Sequence, residues 1–153
     1  MKLKNIKISN YRCFKEAEID FDDHITLVVG KNGAGKTAIL DAVAVAVSTF
    51  LLGIDGRVSR SISKDDARYE FHDLNGTIDP QHQFPVSIES TGACLNLQNV
   101  KWIRSLNSES GKTTIKDAGE LTGLAKKAQN QIMTGDKSLV LPLISYYGTG
   151  RLY

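Results

Sequence analysis

Ile6 and Ile8 alternate with polar neighbours, and beyond a break at Asn10-Tyr11-Arg12-Cys13-Phe14 the alternation resumes with Ala17, Ile19 and Phe21 against Glu16, Glu18 and Asp20. A period of two belongs to strands with one buried face, so this stretch predicts two strands about a turn. Asp22-Asp23 predicts a second turn. The β-branched run His24-Ile25-Thr26-Leu27-Val28-Val29 then predicts a buried strand. From Lys36 to about Leu52 the period changes. Ile39, Leu40, Val43, Val45, Val47, Phe50 and Leu51 cover most of a helical circumference, Thr37, Asp41 and Ser48 form a narrow polar strip, and Gly53 marks the stop.

Residues 54–83 lose this order. They are polar, interrupted by Gly56, Gly76 and Pro80, and predict an exposed insertion with a short helix at 64–71. Arg57, Arg60 and Arg68 are expected there as solvated loop residues, the alternative being contact with a partner or a phosphate. Pro85 to Ser90 and Ala93 to Leu97 predict a hairpin turning at Thr91-Gly92. Val100 to Arg104 predicts a third strand, with Trp102 packed in the sheet. Ile115, Ala118, Leu121, Ala125, Ala128 and Ile132 recur at three and four, which predicts an amphipathic helix over 114–133 with Thr114 and Asp117 as its capping box. Leu139 to Tyr147 predicts a closing strand, followed by a loop at Gly148-Thr149-Gly150-Arg151.

Composition narrows the class without deciding it. A chain of 153 residues with net charge +2 suits one domain and carries no general attraction to nucleic acid. Lys2, Lys4, Lys7, Arg12 and Lys15 do precede the first acid, Glu16, so a solvated strand face and a DNA-contacting patch both remain open. Cys13 and Cys94 lack partner spacing and are expected as reduced core thiols. No apolar leader is present, and Ile39 to Leu52 is short and interrupted by polar residues, so a cytoplasmic protein without a membrane partner is expected.

The chemistry lies between the predicted strand and the apolar helix. Gly30-Lys31-Asn32-Gly33-Ala34-Gly35-Lys36-Thr37 fits the P-loop pattern G-x-x-x-x-G-K-[ST]. In such a loop, backbone N–H groups point at polyphosphate oxygens, and glycines let the chain come closer than a side chain would allow. The Lys reaches the β- and γ-phosphates, the Thr hydroxyl ligates Mg²⁺, and the helix dipole favours the anion. ATP and Mg²⁺ are therefore the expected cofactors, with Gly30 to Thr37 and Ala38 as nucleotide-binding residues and Thr37 as the metal ligand. Gly111-Lys112-Thr113 imitates the motif but fails it, because position 106 is Leu.

The opening strands, Asn10-Tyr11-Arg12, the P-loop and Ile39-Leu40-Asp41-Ala42 together resemble the N-terminal head of RecF/SMC-type ATPases, within the ABC class. That resemblance covers residues 1–52. It implies an α/β P-loop NTPase lobe with an antiparallel β-subdomain and a central P-loop helix. It further implies that Arg12 approaches the nucleotide, that Asn32 lies near the γ-phosphate at a dimer face, and that heads pair with one another and work with DNA or a nuclease. For Arg12 the alternative is an ordinary surface arginine in a turn. Pro85-Val86-Ser87-Ile88, Trp102-Ile103-Arg104 and Tyr146 to Arg151 look like Septu-type and retron-linked anti-phage ATPases.

The departures are equally specific. The family's Q-loop glutamine, Ser-Gly-Gly signature, Walker B Asp-Glu and switch histidine are absent from these residues. Phosphoryl transfer needs the Walker B acid on Mg²⁺ and a neighbouring acid on water. The expectation is thus one incomplete head lobe over 1–153: strands, P-loop and helix over 1–52, insertion over 54–83, and a β-rich segment, helix and final strand over 84–153. It should bind Mg-ATP weakly and hydrolyse it negligibly, with no catalytic residue identified. Two other classes stay open, a non-catalytic nucleotide-sensing module and a P-loop kinase or GTPase. The second is disfavoured by two strands before the P-loop and by the lack of an Asn-Lys-x-Asp motif.

Overall fold

The N-terminal alternation becomes strands β1 (Lys2–Tyr11) and β2 (Phe14–Asp20), joined at Arg12 and Cys13 with Tyr11 opposite Phe14. The computed structural model describes residues 1–74, 77–136 and 138–148. With β5 (Val86–Cys94) and β6 (Leu97–Leu106), these strands form an antiparallel sheet of order β2-β1-β5-β6. Period two sorts its faces. Ile6 and Ile8, their partners Ile19, Ala17, Ser90 and Ile88, and beyond them Trp102 and Arg104, share the inner face. On the outer face Lys7 lies between Glu18 and Glu89, and Lys2 pairs with Asp23 at 2.8 Å. Lys2 and Lys7 therefore sit exposed beside acidic neighbours.

Helix α1 (Lys36–Ser48), prolonged by a 3₁₀ turn at Thr49–Gly53, lies on the inner face. Ala38, Ala42 and Ala46 with Val45 pack against Ile6, Ile8, Tyr11, Val86 and Ile88. Trp102 Nε1 donates to the Ala46 carbonyl at 3.0 Å, so the tryptophan is a core residue whose polar edge is satisfied. Arg104 is also buried. Its guanidinium donates to the Thr114 carbonyl at 2.8 Å, Thr49 Oγ1 at 3.2 Å and Ser59 Oγ at 3.3 Å, and burial lowers its pKa. Helix α2 (Gly119–Met133) covers the β6 end of the same inner face, with Leu121 and Ala125 against Phe50, Val100 and Trp102.

The helix beginning at Lys36 is longer than its apolar centre. Lys36–Gly53 reaches 18 residues at mean hydropathy 1.6, enough by length and composition to cross a membrane, contrary to the expectation from Ile39–Leu52. Half of it is buried within the fold, as a core helix would be.

Several expectations are corrected. Residues 24–29 form no strand, and Ile25, Leu27 and Val29 are 82%, 80% and 77% exposed, because no described strand lies beside them. The closing strand at 139–147 is likewise absent, with Val140 and Leu143 82% and 95% exposed. The loop expected at 148–151 lies, from Thr149 on, outside the described residues. A helix at 64–71 is replaced by a 3₁₀ turn at Lys64–Asp66 and strands β3 (Tyr69–Leu74) and β4 (Thr77–His82), paired antiparallel. The sequence signal for that hairpin was Asn75-Gly76.

Arg60 and Arg68 are ion-paired, to Asp41 and Glu70, and Cys13 is exposed where a core thiol was expected. Thr114 does not cap α2. Its N–H donates to the Ser105 carbonyl at 2.7 Å and its hydroxyl accepts from the Ser105 N–H at 3.1 Å, which fastens it to β6.

The hairpin expected to turn at Thr91-Gly92 turns instead at Leu95 and Asn96, and Gly92 lies inside β5. A Cβ there would stand 2.2 Å from the Lys2 carbonyl oxygen, beside the register shift between Leu3 and Asn5. The glycine permits close backbone approach at a bulge. Gly92→Ala should therefore destabilise the fold by about 2 kcal/mol, the scale of overpacking, read as a lower denaturation midpoint in urea.

Candidate functional site

The loop from Gly30 to Thr37 ends on the N-terminus of α1. Gly33 and Gly35 take φ of +82° and +90°, the left-handed region where glycine carries no penalty. Gly35 is also sterically required: a Cβ would come within 2.5 Å of the Phe14 ring and 2.7 Å of Cys13 Sγ. The loop is thus packed directly on the β1–β2 turn. At the helix start Gly35 makes no side-chain cap, and the first turn holds no acid, so the leading N–H groups and the positive dipole end are open to an anion. Lys36 Nζ donates to the carbonyls of Gly30 and Lys31, both at 2.8 Å, which holds the ammonium across the loop.

A cavity of about 360 Å³ is lined by Arg12, Cys13, Asn32, Gly33, Gly35, Lys36, Thr37 and Ala38. The fold therefore places Arg12 in the lining of the cavity at the loop. Gly30 and Lys31 act through the carbonyls that hold Lys36, and the Ala34 N–H donates to the Lys31 carbonyl at 3.2 Å, tightening the turn. Chemically the set suits a polyphosphate: backbone N–H groups and two cations for its oxygens, and the Thr37 hydroxyl for Mg²⁺.

Arg12 is no ordinary surface arginine. It occupies φ +50°, as does Asn10, and both are held there by pairing across to 66–68. The Arg12 N–H donates to the Asp66 carbonyl at 2.7 Å, the Arg68 N–H to the Asn10 carbonyl at 2.9 Å, and Tyr11 bridges to Ala67. Left-handed residues of this kind persist where the surroundings over-determine them. The guanidinium is gripped as well, with Nε 2.8 Å from Asp66 Oδ1 and Nη1 2.5 Å from Asp41 Oδ2. Asp66 spends its other oxygen on the N–H and hydroxyl of Ser63, both at 3.0 Å. Partial burial alone would lower the Arg12 pKa, but the hydrogen bond that Arg12 donates to Asp66 and the charges of Asp66 and Asp41 raise it, so the cation is secure. Tyr11 beside it is pushed up, first by burial and then by Asp66.

Asp41 is 5% exposed. Its Oδ1 accepts from Arg60 Nη2 at 2.9 Å and from the Tyr146 hydroxyl. Sequence reasoning placed Asp41 on a polar strip and within the Ile39–Ala42 stretch of the resemblance, offered Arg60 a phosphate or partner contact only as an alternative, and did not name Asp66 or Tyr146 as members of the site. One signal was available: Asp41 lies three residues after Ala38 and four before Val45, on the face of α1 that must be buried, and a buried carboxylate needs partners.

The AAA domain family profile matches residues 5–152. Among curated relatives, the chain is 48% identical over 44 residues to the DNA double-strand break repair Rad50 ATPase of Archaeoglobus fulgidus, covering 29% of this chain and 5% of that protein. It is 51% identical over 43 residues to the DNA replication and repair protein RecF of Flavobacterium johnsoniae, covering 28% of this chain and 12% of that protein. Against RecF of Streptococcus agalactiae the match is 29% over 77 residues, half of this chain and 19% of the relative. The chain thus spans a small part of the relatives it matches.

Because Asp66 both grips Arg12 and caps the 63–66 turn, Asp66→Ala should cost about 2 kcal/mol, the scale of a lost charge-assisted hydrogen bond in a partly buried site. Thermal and urea denaturation measure it, and a change within error would show that the grip contributes nothing.

Proposed function

This chain belongs to the AAA domain family, and we propose that it is a Mg-ATP-binding lobe of a RecF/SMC-type ATPase engaged in DNA transactions. One observation carries the proposal: Lys36, Thr37 and Arg12 converge on a single cavity at the N-terminus of α1. In the bound state, loop N–H groups and Lys36 would hold the phosphates, Thr37 would ligate Mg²⁺, and Arg12 and Asn32 would face the terminal phosphate. Mg²⁺ would supply neutralisation of the phosphate charge. The work in DNA transactions is carried over from the Rad50 and RecF relatives, named for DNA double-strand break repair and for DNA replication and repair. Pairing with a second head, partnership with DNA or a nuclease, a place in anti-phage defence and a cytoplasmic location belong to the same proposal.

The Walker B acids, signature motif and switch histidine then come from another segment or another chain. Supporting this, Ile25, Leu27 and Val29 are exposed on a β-branched stretch leading straight into the loop, where a strand needs neighbours. The same exposed apolar surface favours a second reading, a nucleotide-sensing module that changes association state without turnover.

Calorimetric titration of the chain with ATP and Mg²⁺ should show binding, weakened about tenfold or more by Lys36→Ala, which corresponds to about 1.4 kcal/mol. Radiolabelled ATP should turn over negligibly. Robust hydrolysis abolished by Lys36→Ala would sink the incomplete-lobe assignment, and a nucleotide-dependent change in elution volume without turnover would favour the sensor.

A further inference from the structure

Asp41 stands where two parts of the molecule meet. On one side is Arg12, which lines the P-loop cavity and holds Asp41 Oδ2 through Nη1 at 2.5 Å. On the other are Arg60, 2.9 Å from Oδ1, and the Tyr146 hydroxyl, which donates to the same oxygen. Arg60 is itself fixed. Its N–H donates to Ser48 Oγ at 2.9 Å, and its guanidinium lies 5.3 Å from the centre of the Tyr146 ring. Tyr146 belongs to the 139–148 segment, and Leu143, Ile144 and Ser145 of that segment line one cavity together with Val43 and Val47 of α1. The hydrogen bond to Asp41 raises the Tyr146 pKa, so the phenol keeps its proton and acts as donor.

We propose that Asp41 and Tyr146 are positioning residues for Arg12, coupling nucleotide at the P-loop cavity to docking of the 139–148 segment on α1. The inference rests on the nucleotide-binding assignment above. Its physics is the accounting of one buried carboxylate. A terminal phosphate competes with Asp41 for Arg12, and as Nη1 turns toward the phosphate, Asp41 Oδ2 loses its partner. A buried carboxylate left short of donors is costly, so Arg60 and the Tyr146 hydroxyl must then carry its charge. Nucleotide binding accordingly strengthens the bond to Tyr146. By linkage, a docked Tyr146 strengthens nucleotide binding by the same factor.

The test has two arms. In calorimetry with ATP and Mg²⁺, Tyr146→Phe should weaken binding roughly fivefold, within the range of measured site couplings. In an Arg12→Ala background the same substitution should have no effect on affinity, because the group that transmits it is gone. A purely structural role of Tyr146 would give the same loss in both backgrounds. The second arm needs no variant: amide hydrogen exchange of residues 143–147 in the unsubstituted chain should slow when ATP and Mg²⁺ are added. Tyr146→Phe with unaltered affinity, equal losses with and without Arg12, or exchange at 143–147 indifferent to nucleotide each overturn the coupling while leaving the nucleotide assignment standing. Absence of any binding by the unsubstituted chain overturns both.

Discussion

How closely α1 sits on the antiparallel sheet decides everything the loop can do. The helix approaches Ile6, Ile8 and Ile88 through Ala38, Ala42 and Ala46, side chains too small to hold two backbones apart. That closeness puts the N-terminus of α1 beside the β1–β2 turn, so that Phe14 and Cys13 fill the space a side chain on Gly35 would need. The glycine-rich loop, the hairpin turn and the helix end are one packed unit. Trp102 and Arg104 keep the helix seated from below, through the Ala46 carbonyl and Thr49 Oγ1.

Upon this seat the charged groups are arranged with little slack. Arg12 and Arg60 face Asp41, and Arg12 also faces Asp66, so two cations that reach solvent balance two largely buried carboxylates. Replacing such groups by apolar ones is often neutral for stability, whereas removing one of them strands its partner. Their retention therefore makes more sense as positioning than as glue. A left-handed Arg12, held on its backbone by Asp66 and on its side chain by two acids, has one place to be.

What could be read from the chain alone was whatever depends on near neighbours. The P-loop is eight consecutive residues, and its chemistry follows from their order. β1, β2 and the core of α1 follow from periods of two and of 3.6. The failures share one cause, a partner distant in sequence. Gly92 reads as a turn until Lys2 is laid against it, and Thr114 reads as a cap until Ser105 takes both its groups. Ile25, Leu27 and Val29 have strand chemistry without a neighbouring strand among the described residues. In the site, Asp41 carried a legible hint in its helical phase, whereas Arg60 and Tyr146 reach it across 19 and 105 residues and left no local mark.

The exposed run at 25–29 has a consequence for the life of the chain in a crowded solution. Ile25-Thr26-Leu27-Val28-Val29 is uncharged and free of proline and glycine, the composition from which intermolecular β-stacks nucleate. The edge strand β2 carries Lys15, Glu16, Glu18 and Asp20 and repels such additions. The run has no such charges of its own, but Asp22 and Asp23 stand immediately before it and Lys31 just after, where gatekeepers are found beside unavoidable apolar strands. The stretch that makes the loop usable is also the stretch most prone to self-association. Its flanking charges oppose that association.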